Sequence, residues 1–215
     1  MAEIYSREIC EKSFSEMQRF VYFANGIGEK PMLFGGWAVY YYNQYAGSRD
    51  VDFVVSDENF DSLVDFLAKA GYGQKEVRLF KDGIFFDLYK RSEDIGSEDS
   101  KIPFELLYEN AECVYLKNFG KGTSRNQVMI PSRTSLLYSK ITALISRSVP
   151  KDRSDIAAVL INTPFDELQE LKKKLSVKQK ERVLTLRNDI QSISLVTKIT
   201  KKKLNDFNQK VTALL

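Results

Sequence analysis

The sequence predicts an α+β protein in which a mixed sheet is flanked by helices and followed by a helical C-terminal region. Two observations lead to this expectation. Before about residue 130, short apolar runs of strand length alternate with amphipathic stretches of helical period, whereas only helical periodicity remains after it. A chain of 215 residues is long enough to bury a substantial core. We therefore expect one domain over 1–130 and a helical C-terminal domain over 131–215.

The first part of the chain alternates helices and strands up to about residue 70. Apolar side chains at helical spacing predict an opening helix, which ends at Gly26. An apolar tetrapeptide then runs into Gly35-Gly36, and Asp57 or Ser56 is a suitable N-cap for the last helix of this part. In order, the expected elements are a helix over 6–25, a strand over 31–34, a helix over 37–45, a strand over 51–55 and a helix to about residue 70.

The middle of the chain predicts two hairpins. Lys81-Asp82-Gly83 is a tight-turn sequence between strands expected over 76–80 and 84–89. Apolar runs over 102–108 and 112–116 predict a second hairpin, and a short strand is expected over 128–130. From there on we expect helices over 135–147 and 152–161, and several more from residue 165.

The composition limits the chemistry. The chain contains no histidine, which excludes Ser-His and Cys-His nucleophile pairs and histidine-ligated metals. Two isolated cysteines predict neither a disulfide framework nor a zinc site. The first ten residues carry charges in place of the apolar core of a signal peptide, and no apolar run approaches the length of a membrane span. We expect a cytoplasmic protein with no membrane partner.

The charge is unevenly distributed. The whole chain carries a net charge of +3, yet residues 171–215 hold twelve basic and three acidic residues, so the rest is acidic. The lysines at 172–174 and 201–203 could hold an RNA acceptor such as the end of a tRNA. Alternatively, they form the solvated outer face of a helical bundle. The inner face of that bundle would consist of Leu168, Leu171, Leu175, Ile190, Ile193, Leu204, Phe207 and Val211.

The residues with the clearest chemical pattern are Asp50 and Asp52, at the start of the strand expected over 51–55. Alternate side chains of a strand point to the same face, so the two carboxylates project together. Their apolar neighbours predict a buried strand, where unpaired like charges are costly. Carboxylates are ligands that Mg²⁺ uses together with phosphate oxygens of a substrate. The pattern therefore predicts a divalent-metal site.

A second motif lies upstream. Gly35-Gly36 joins a strand to the N-terminus of a helix, where backbone N–H groups are exposed with no side chain in the way. Such a turn is suited to bind phosphate. A phosphate-binding turn followed by paired carboxylates indicates metal-assisted phosphoryl chemistry.

This order of motifs, Gly-Gly-Trp-Ala and then Arg-Asp-Val-Asp, resembles the minimal members of the nucleotidyltransferase superfamily, over about residues 31–160. The resemblance implies that residues 1–130 form a catalytic domain. It also implies a Mg²⁺-dependent transfer of a nucleoside monophosphate from a nucleoside triphosphate. Asp50 and Asp52 would bind the metal, while Gly35, Gly36 and Arg49 would contact the nucleotide.

The same resemblance implies a third carboxylate on a later strand. Asp87, an isolated acid in an apolar strand, is the preferred residue, and it would ligate the metal or deprotonate the acceptor hydroxyl. Glu105 is the alternative.

A further block, Met129-Ile130-Pro131-Ser132 and then Lys151 to Ile156, is similar to the AbiEii-like nucleotidyltransferases. This similarity implies that Lys140 and Lys151 bind the triphosphate and that Lys140 neutralises charge on the leaving group. Asp152 and Asp155 would orient these lysines, or they are first-turn acids that complement a helix dipole.

The resemblance also suggests acceptors and partners. The AbiEii-like group includes toxins of toxin–antitoxin pairs, which implies an RNA or protein acceptor and an antitoxin partner. The Gly-Gly-Trp-Ala form is similar to antibiotic nucleotidyltransferases as well, which implies a small-molecule acceptor instead. A catalytically silent protein that binds a nucleotide is a third alternative.

Overall fold

The computed structural model describes residues 6–75, 78–94, 101–121, 123–147, 149–198 and 200–215. Two expectations fall partly outside these ranges. They concern residues 1–5, in the segment considered for a signal peptide, and residues 76–77, in an expected strand. The N-terminal half contains α1 (Arg7–Gly26), β1 (Met32–Phe34), α2 (Gly35–Tyr42), β2 (Asp50–Val55), α3 (Asp57–Lys69), β3 (Gly73–Lys75), β4 (Arg78–Lys81), β5 (Ile84–Lys90) and α4 (Phe104–Tyr108).

The remaining elements end in a run of helices. They are β6 (Glu112–Tyr115), a 3-10 turn at Leu116–Phe119, β7 (Gln127–Ile130), α5 (Arg133–Ser146), α6 (Pro150–Ile161), α7 (Phe165–Lys174), α8 (Val177–Leu184), α9 (Ile190–Val196) and α10 (Lys201–Ala213). The strands form a mixed sheet in the order β3-β4-β5-β2-β1-β7-β6. The α+β class and the helical C-terminal region are confirmed.

The alternation of side chains along β2 explains the position of the acidic residues. Val51, Phe53 and Val55 are buried in a core with residues of α1 and α3. Within that core, the rings of Phe20 and Phe53 stack with centroids 4.9 Å apart. Because successive side chains of a strand point to opposite faces, Asp50 and Asp52 lie on the other face of the sheet.

The helices of the C-terminal region enclose a second core. It is built from α5 to α10 together with Ala38 and Val39 of α2. Most of the expected inner-face residues are buried there, but Ile190 is 53% exposed. The helix α2 is also anchored on its other side, since the Trp37 Nε1–H donates to Ser13 Oγ at 3.1 Å. The boundary at residue 130 stays a prediction.

One expected hairpin is wrong. Residues 104–108 form α4, with Phe104 and Leu107 buried three residues apart, as one face of a helix requires. The strand β6 pairs with β7 instead, in antiparallel register with Cys113 opposite Met129. Two further elements, the edge strand β3 and the 3-10 turn, were not expected.

Among the described residues, no helix combines the length and the apolar character needed to cross a bilayer.

Candidate active site

Three aspartates lie on the same face of two neighbouring strands. The strands β2 and β5 run parallel, and Asp52 lies directly opposite Asp87 in their register. Asp50 lies two residues before Asp52 on β2, so its side chain points to the same face. The tertiary structure therefore brings together the three carboxylates that were expected from separate segments.

The carboxyl group of Asp52 has an unusual environment. Burial, followed by the negative charges of Asp87 and Asp50, raises the pKa of Asp52 to about 8. The positive charges of Lys140 and Arg78 act in the opposite direction and do not outweigh these effects. The charged form of Asp52 is therefore unfavourable in this buried, acidic environment, a condition that a bound cation relieves.

The two glycines pack closely against the acidic strand. Gly35 has φ +67, and a Cβ atom there would lie 2.0 Å from Asp52 Oδ2. A Cβ atom on Gly36 would lie 2.7 Å from Ser48 Oγ and 3.2 Å from Lys151 Nζ. A side chain at either position would collide with its neighbours, so the backbone of this turn packs closely against Asp52 and Ser48, with Lys151 nearby.

Arg78, which the sequence analysis overlooked, pairs with Asp87. Its Nε and one terminal nitrogen donate to the two carboxylate oxygens of Asp87, each at 2.6 Å. The guanidinium also lies 3.6 Å from Asp50 Oδ1 and 4.4 Å from the centre of the Phe85 ring. A sequence signal existed, because the turn at Asp82-Gly83 pairs Lys81 with Ile84 and so brings position 78 opposite position 87.

Arg49 lies at the edge of the same group. Its Nε donates to Asp50 Oδ1 at 3.2 Å, and its guanidinium lies 5.1 Å from the centre of the Phe85 ring. It is not among the residues that line the cavity described below. Glu105, the alternative third carboxylate, is exposed on α4 and is not on a strand beside β2.

Lys140 and Lys151 converge on one buried acid. Lys140 Nζ donates to Asp155 Oδ2 at 2.6 Å, and Lys151 Nζ donates to the two oxygens of Asp155 at 3.0 and 3.1 Å. The hydroxyl of Tyr45 donates to Asp155 as well. The second acid, Asp152, lies 3.8 Å from Lys140 Nζ. Both acids are buried, so they are more than solvated first-turn residues.

These contacts decide the charges of the lysine cluster. Burial alone would raise the pKa of Asp155, but the charges of Lys140 and Lys151 and the hydrogen bonds from Lys140 and Tyr45 hold it at about 2. Burial would likewise lower the pKa of Lys140, yet the charges of Asp155 and Asp152 keep it above its ordinary value. Lys140 is therefore charged, and Asp155 fixes the positions of both lysines.

A cavity of about 650 Å³ separates the sheet from α5 and α6. Its volume is typical of small-molecule sites. The three aspartates, both glycines and Arg78 line one side, and Lys140, Lys151, Arg147, Asp152 and Asp155 line the other. Leu88, Tyr89, Ile102 and Val149 add an apolar part. The cavity thus joins the acidic face of the sheet to the basic face of the helices.

The donor set fits a hard divalent cation completed by a substrate. Among the described residues, no three acidic or cysteine side chains form a ready-made metal cage. Mg²⁺ does not need one, because it commonly binds one or two carboxylates and takes its other ligands from water and phosphate. The raised pKa of Asp52, caused by burial and by the neighbouring aspartates, and the close approach of Gly35 are consistent with such a partly formed site.

Comparisons with known proteins identify the fold. No protein-family model matches the sequence, and no curated protein matches it. The structure is similar to the crystal structure of an antigenic nucleotidyltransferase-like protein from Paracoccidioides brasiliensis. That likeness has a TM-score of 0.57 and 14% identity, and it covers 91% of this chain and 93% of the other.

A second similar structure is the solution structure of the antibiotic-resistance factor ANT(2'')-Ia. It has a TM-score of 0.48 and 11% identity, with 93% of this chain and 90% of the other covered. The assignment of the fold rests on the first likeness, which spans nearly the whole of both chains. The protein has a nucleotidyltransferase-like fold.

Proposed function

We propose that the protein is a Mg²⁺-dependent nucleotidyltransferase that transfers a nucleoside monophosphate from a nucleoside triphosphate to an acceptor hydroxyl. In this reaction the acceptor oxygen bonds to the α-phosphorus, the bond from that phosphorus to the β-bridging oxygen breaks, and pyrophosphate leaves. The main support is the group of Asp50, Asp52 and Asp87 on one face of the sheet, with the backbone of Gly35 packed against Asp52.

Asp50 and Asp52 would hold the metal. When bound, Mg²⁺ supplies positive charge that neutralises phosphate oxygens. Asp87 either completes the metal site or takes the proton from the acceptor hydroxyl. The backbone amides of Gly35 and Gly36 would orient the phosphates at the start of α2.

Lys140 and Lys151 would bind the triphosphate on the opposite wall of the cavity. Their partner Asp155 holds both ammonium groups in place before the substrate arrives, which reduces the ordering cost of binding. Lys140 would offset the charge that develops on the leaving pyrophosphate. Asp152 and Asp155 act through the lysines and do not contact the substrate in this scheme.

The proposed acceptor is an RNA, such as a tRNA, or a protein. The resemblance to AbiEii-like toxins supports this class, and it also suggests an antitoxin partner and a cytoplasmic location. The lysines at 201–203, at the start of α10, are exposed and available to an RNA backbone. They are also where the outer face of a helical bundle would place them.

A small-molecule acceptor is the second candidate. The cavity of about 650 Å³ has the size of a small-ligand site, and its apolar part at Leu88, Tyr89 and Ile102 could accommodate a ring system. The Gly-Gly-Trp-Ala form, which is similar to that of antibiotic nucleotidyltransferases, favours the same acceptor class.

The test is incorporation of label. The purified protein is incubated with Mg²⁺, each of the four α-labelled triphosphates in turn, and a cell extract. Asp52→Asn is expected to abolish incorporation while the protein stays folded, because Asn has a similar shape and carries no charge. Asp61→Asn, an exposed acid on α3 at the opposite face of the sheet, is the matched control and should retain activity.

The labelled fraction identifies the acceptor as RNA, protein or small molecule. Full incorporation by Asp52→Asn would refute the assignment of the site. Absence of label from every fraction, together with triphosphate binding, would favour the silent nucleotide-binding protein.

A further inference from the structure

Arg78 occupies a central position among the acidic residues of the site. It forms two hydrogen bonds with Asp87 at 2.6 Å and lies 3.6 Å from Asp50 Oδ1. One guanidinium therefore contacts two of the three carboxylates that would hold the metal. A guanidinium matches a carboxylate in this two-point geometry better than other cationic groups do.

The surrounding structure holds Arg78 in this place. The hairpin of β4 and β5 sets the register, with Leu79 opposite Phe86 and Phe80 opposite Phe85. The Phe85 ring lies 4.4 Å below the guanidinium carbon and adds a cation–π contact. The Asp87 side chain is only 12% exposed, so water contributes little to its stabilisation. Arg78 thus supplies the positive charge that Asp87 requires.

We propose that Arg78 is an internal competitor of the metal: it neutralises Asp87 and Asp50 in the metal-free protein and lowers the affinity of the site for a divalent cation. This inference rests on the proposed function, because it assumes that these aspartates are the metal ligands. A cation ligated by Asp87 must compete with Arg78 for a carboxylate oxygen, since both oxygens of Asp87 accept from the guanidinium. A cation ligated by Asp50 or Asp52 binds near the same fixed positive charge. Both effects weaken metal binding in the absence of substrate.

The proposal predicts a gain of metal affinity when the charge is removed. Arg78→Met keeps the length and apolar stem of the side chain and removes the guanidinium. We expect it to bind Mn²⁺, without any nucleotide, at least about tenfold more tightly than the wild type, or about 1.4 kcal/mol. Arg78→Lys keeps the charge and loses the two-point geometry, so its affinity should lie between the two.

The experiment is a titration with Mn²⁺ in which free Mn²⁺ is followed by its electron paramagnetic resonance signal. Arg19→Met is the matched control, because it removes the same charge from an exposed position on α1, at the opposite face of the sheet. It should bind Mn²⁺ as the wild type does. Thermal unfolding of each variant establishes that it is folded, and Arg78→Lys provides a readout if Arg78→Met does not fold.

The outcomes separate this inference from the proposed function. The competition is supported if Arg78→Met binds Mn²⁺ more tightly than the wild type and the Arg78→Met/Asp52→Asn double variant loses this gain in affinity. Equal or weaker Mn²⁺ affinity in Arg78→Met and Arg78→Lys overturns it and leaves the metal-dependent transferase intact. Absence of Mn²⁺ binding in every variant without nucleotide also overturns the competition, because removal of the guanidinium then gives no gain in affinity. If Mn²⁺ also fails to bind when a nucleoside triphosphate is present, the metal site itself is overturned, and the proposed function with it.

Discussion

Replacement of Gly35 by alanine tests the contact between the glycine turn and the acidic strand. The new Cβ would lie 2.0 Å from Oδ2, 2.7 Å from Cγ and 3.2 Å from Cβ of Asp52. Gly35 also has φ +67, a region that side chains disfavour. Gly35→Ala therefore introduces two separable effects, a backbone penalty and a collision with Asp52.

Gly28 provides the control for the backbone penalty. It has φ +82, and a Cβ built there has no atom within 4 Å. The left-handed conformation costs an alanine about 1–2 kcal/mol, which lowers the melting temperature of a chain of this size by about 2–8 °C. We expect Gly28→Ala to show this loss and to retain metal binding and nucleotide transfer.

Gly35→Ala should show the same loss and a further effect at the site. If Asp52 stays in place, the overpacking costs about 1–3 kcal/mol more. If Asp52 rotates away, the extra cost is smaller, but its carboxylate leaves the face that it shares with Asp50 and Asp87. In the second case Mn²⁺ binding should fall at least about tenfold, because a ligand is displaced; in the first case the collision shows as the additional loss of stability.

The assay combines urea unfolding with a Mn²⁺ titration of both variants and the wild type. The predicted collision is refuted if Gly35→Ala is as stable as Gly28→Ala and binds Mn²⁺ as tightly as the wild type. Such a result would show that the turn does not pack on Asp52.

Three further perturbations test other parts of the structure. The folded-state pKa of Asp155, about 2, is below its ordinary value, so its ionisation stabilises the protein by about 2–3 kcal/mol above about pH 4, and this contribution is lost as the pH falls towards 2. In urea unfolding, the stability of Asp155→Asn should therefore depend less on pH across this range than that of the wild type. Parallel pH profiles for the two proteins would contradict the ion-pair cluster. Mg²⁺ at 100 times its dissociation constant should stabilise the wild type by about 2.7 kcal/mol. In a thermal-shift assay, EDTA should reverse this gain, and Asp52→Asn should not show it. Trp37→Phe leaves the buried Ser13 hydroxyl without its indole donor and should cost about 1–3 kcal/mol in urea unfolding, whereas an unchanged midpoint would show that this hydrogen bond contributes nothing.

Local patterns were sufficient for most of the sheet and for the acidic face. The alternation in Asp50–Val55 determines which side chains face α1 and which face the cavity, and the turn at Asp82-Gly83 determines the register of β4 and β5. Asp87 could be selected because an acid in an apolar strand is conspicuous. Arg78 could have been found from the same register, but an arginine near the end of a strand is common and does not by itself indicate a functional site.

Other features depend on contacts that are distant in sequence. Residues 102–108 have apolar side chains at positions that suit either a short helix or a strand, and a segment this short does not distinguish the two periods. The pairing of β6 with β7 is selected by the rest of the sheet. The contact of Asp155 with Lys140 arises when α5 and α6 pack together. Its contact with Tyr45, after α2, arises only when the helical region packs against the sheet domain.

The two walls of the cavity carry opposite charge, and this difference explains why the site needs both parts of the chain. The sheet contributes three aspartates, which the two arginines Arg78 and Arg49 offset only in part. The helices contribute Lys140, Lys151 and Arg147 against two carboxylates, and so leave positive charge towards the cavity. A triphosphate that carries a divalent cation has the complementary distribution, with the cation suited to the acidic wall and the phosphates suited to the basic wall. Neither wall provides this combination alone, so we expect nucleotide binding to depend on the packing of α5 and α6 against the sheet as much as on the aspartates themselves.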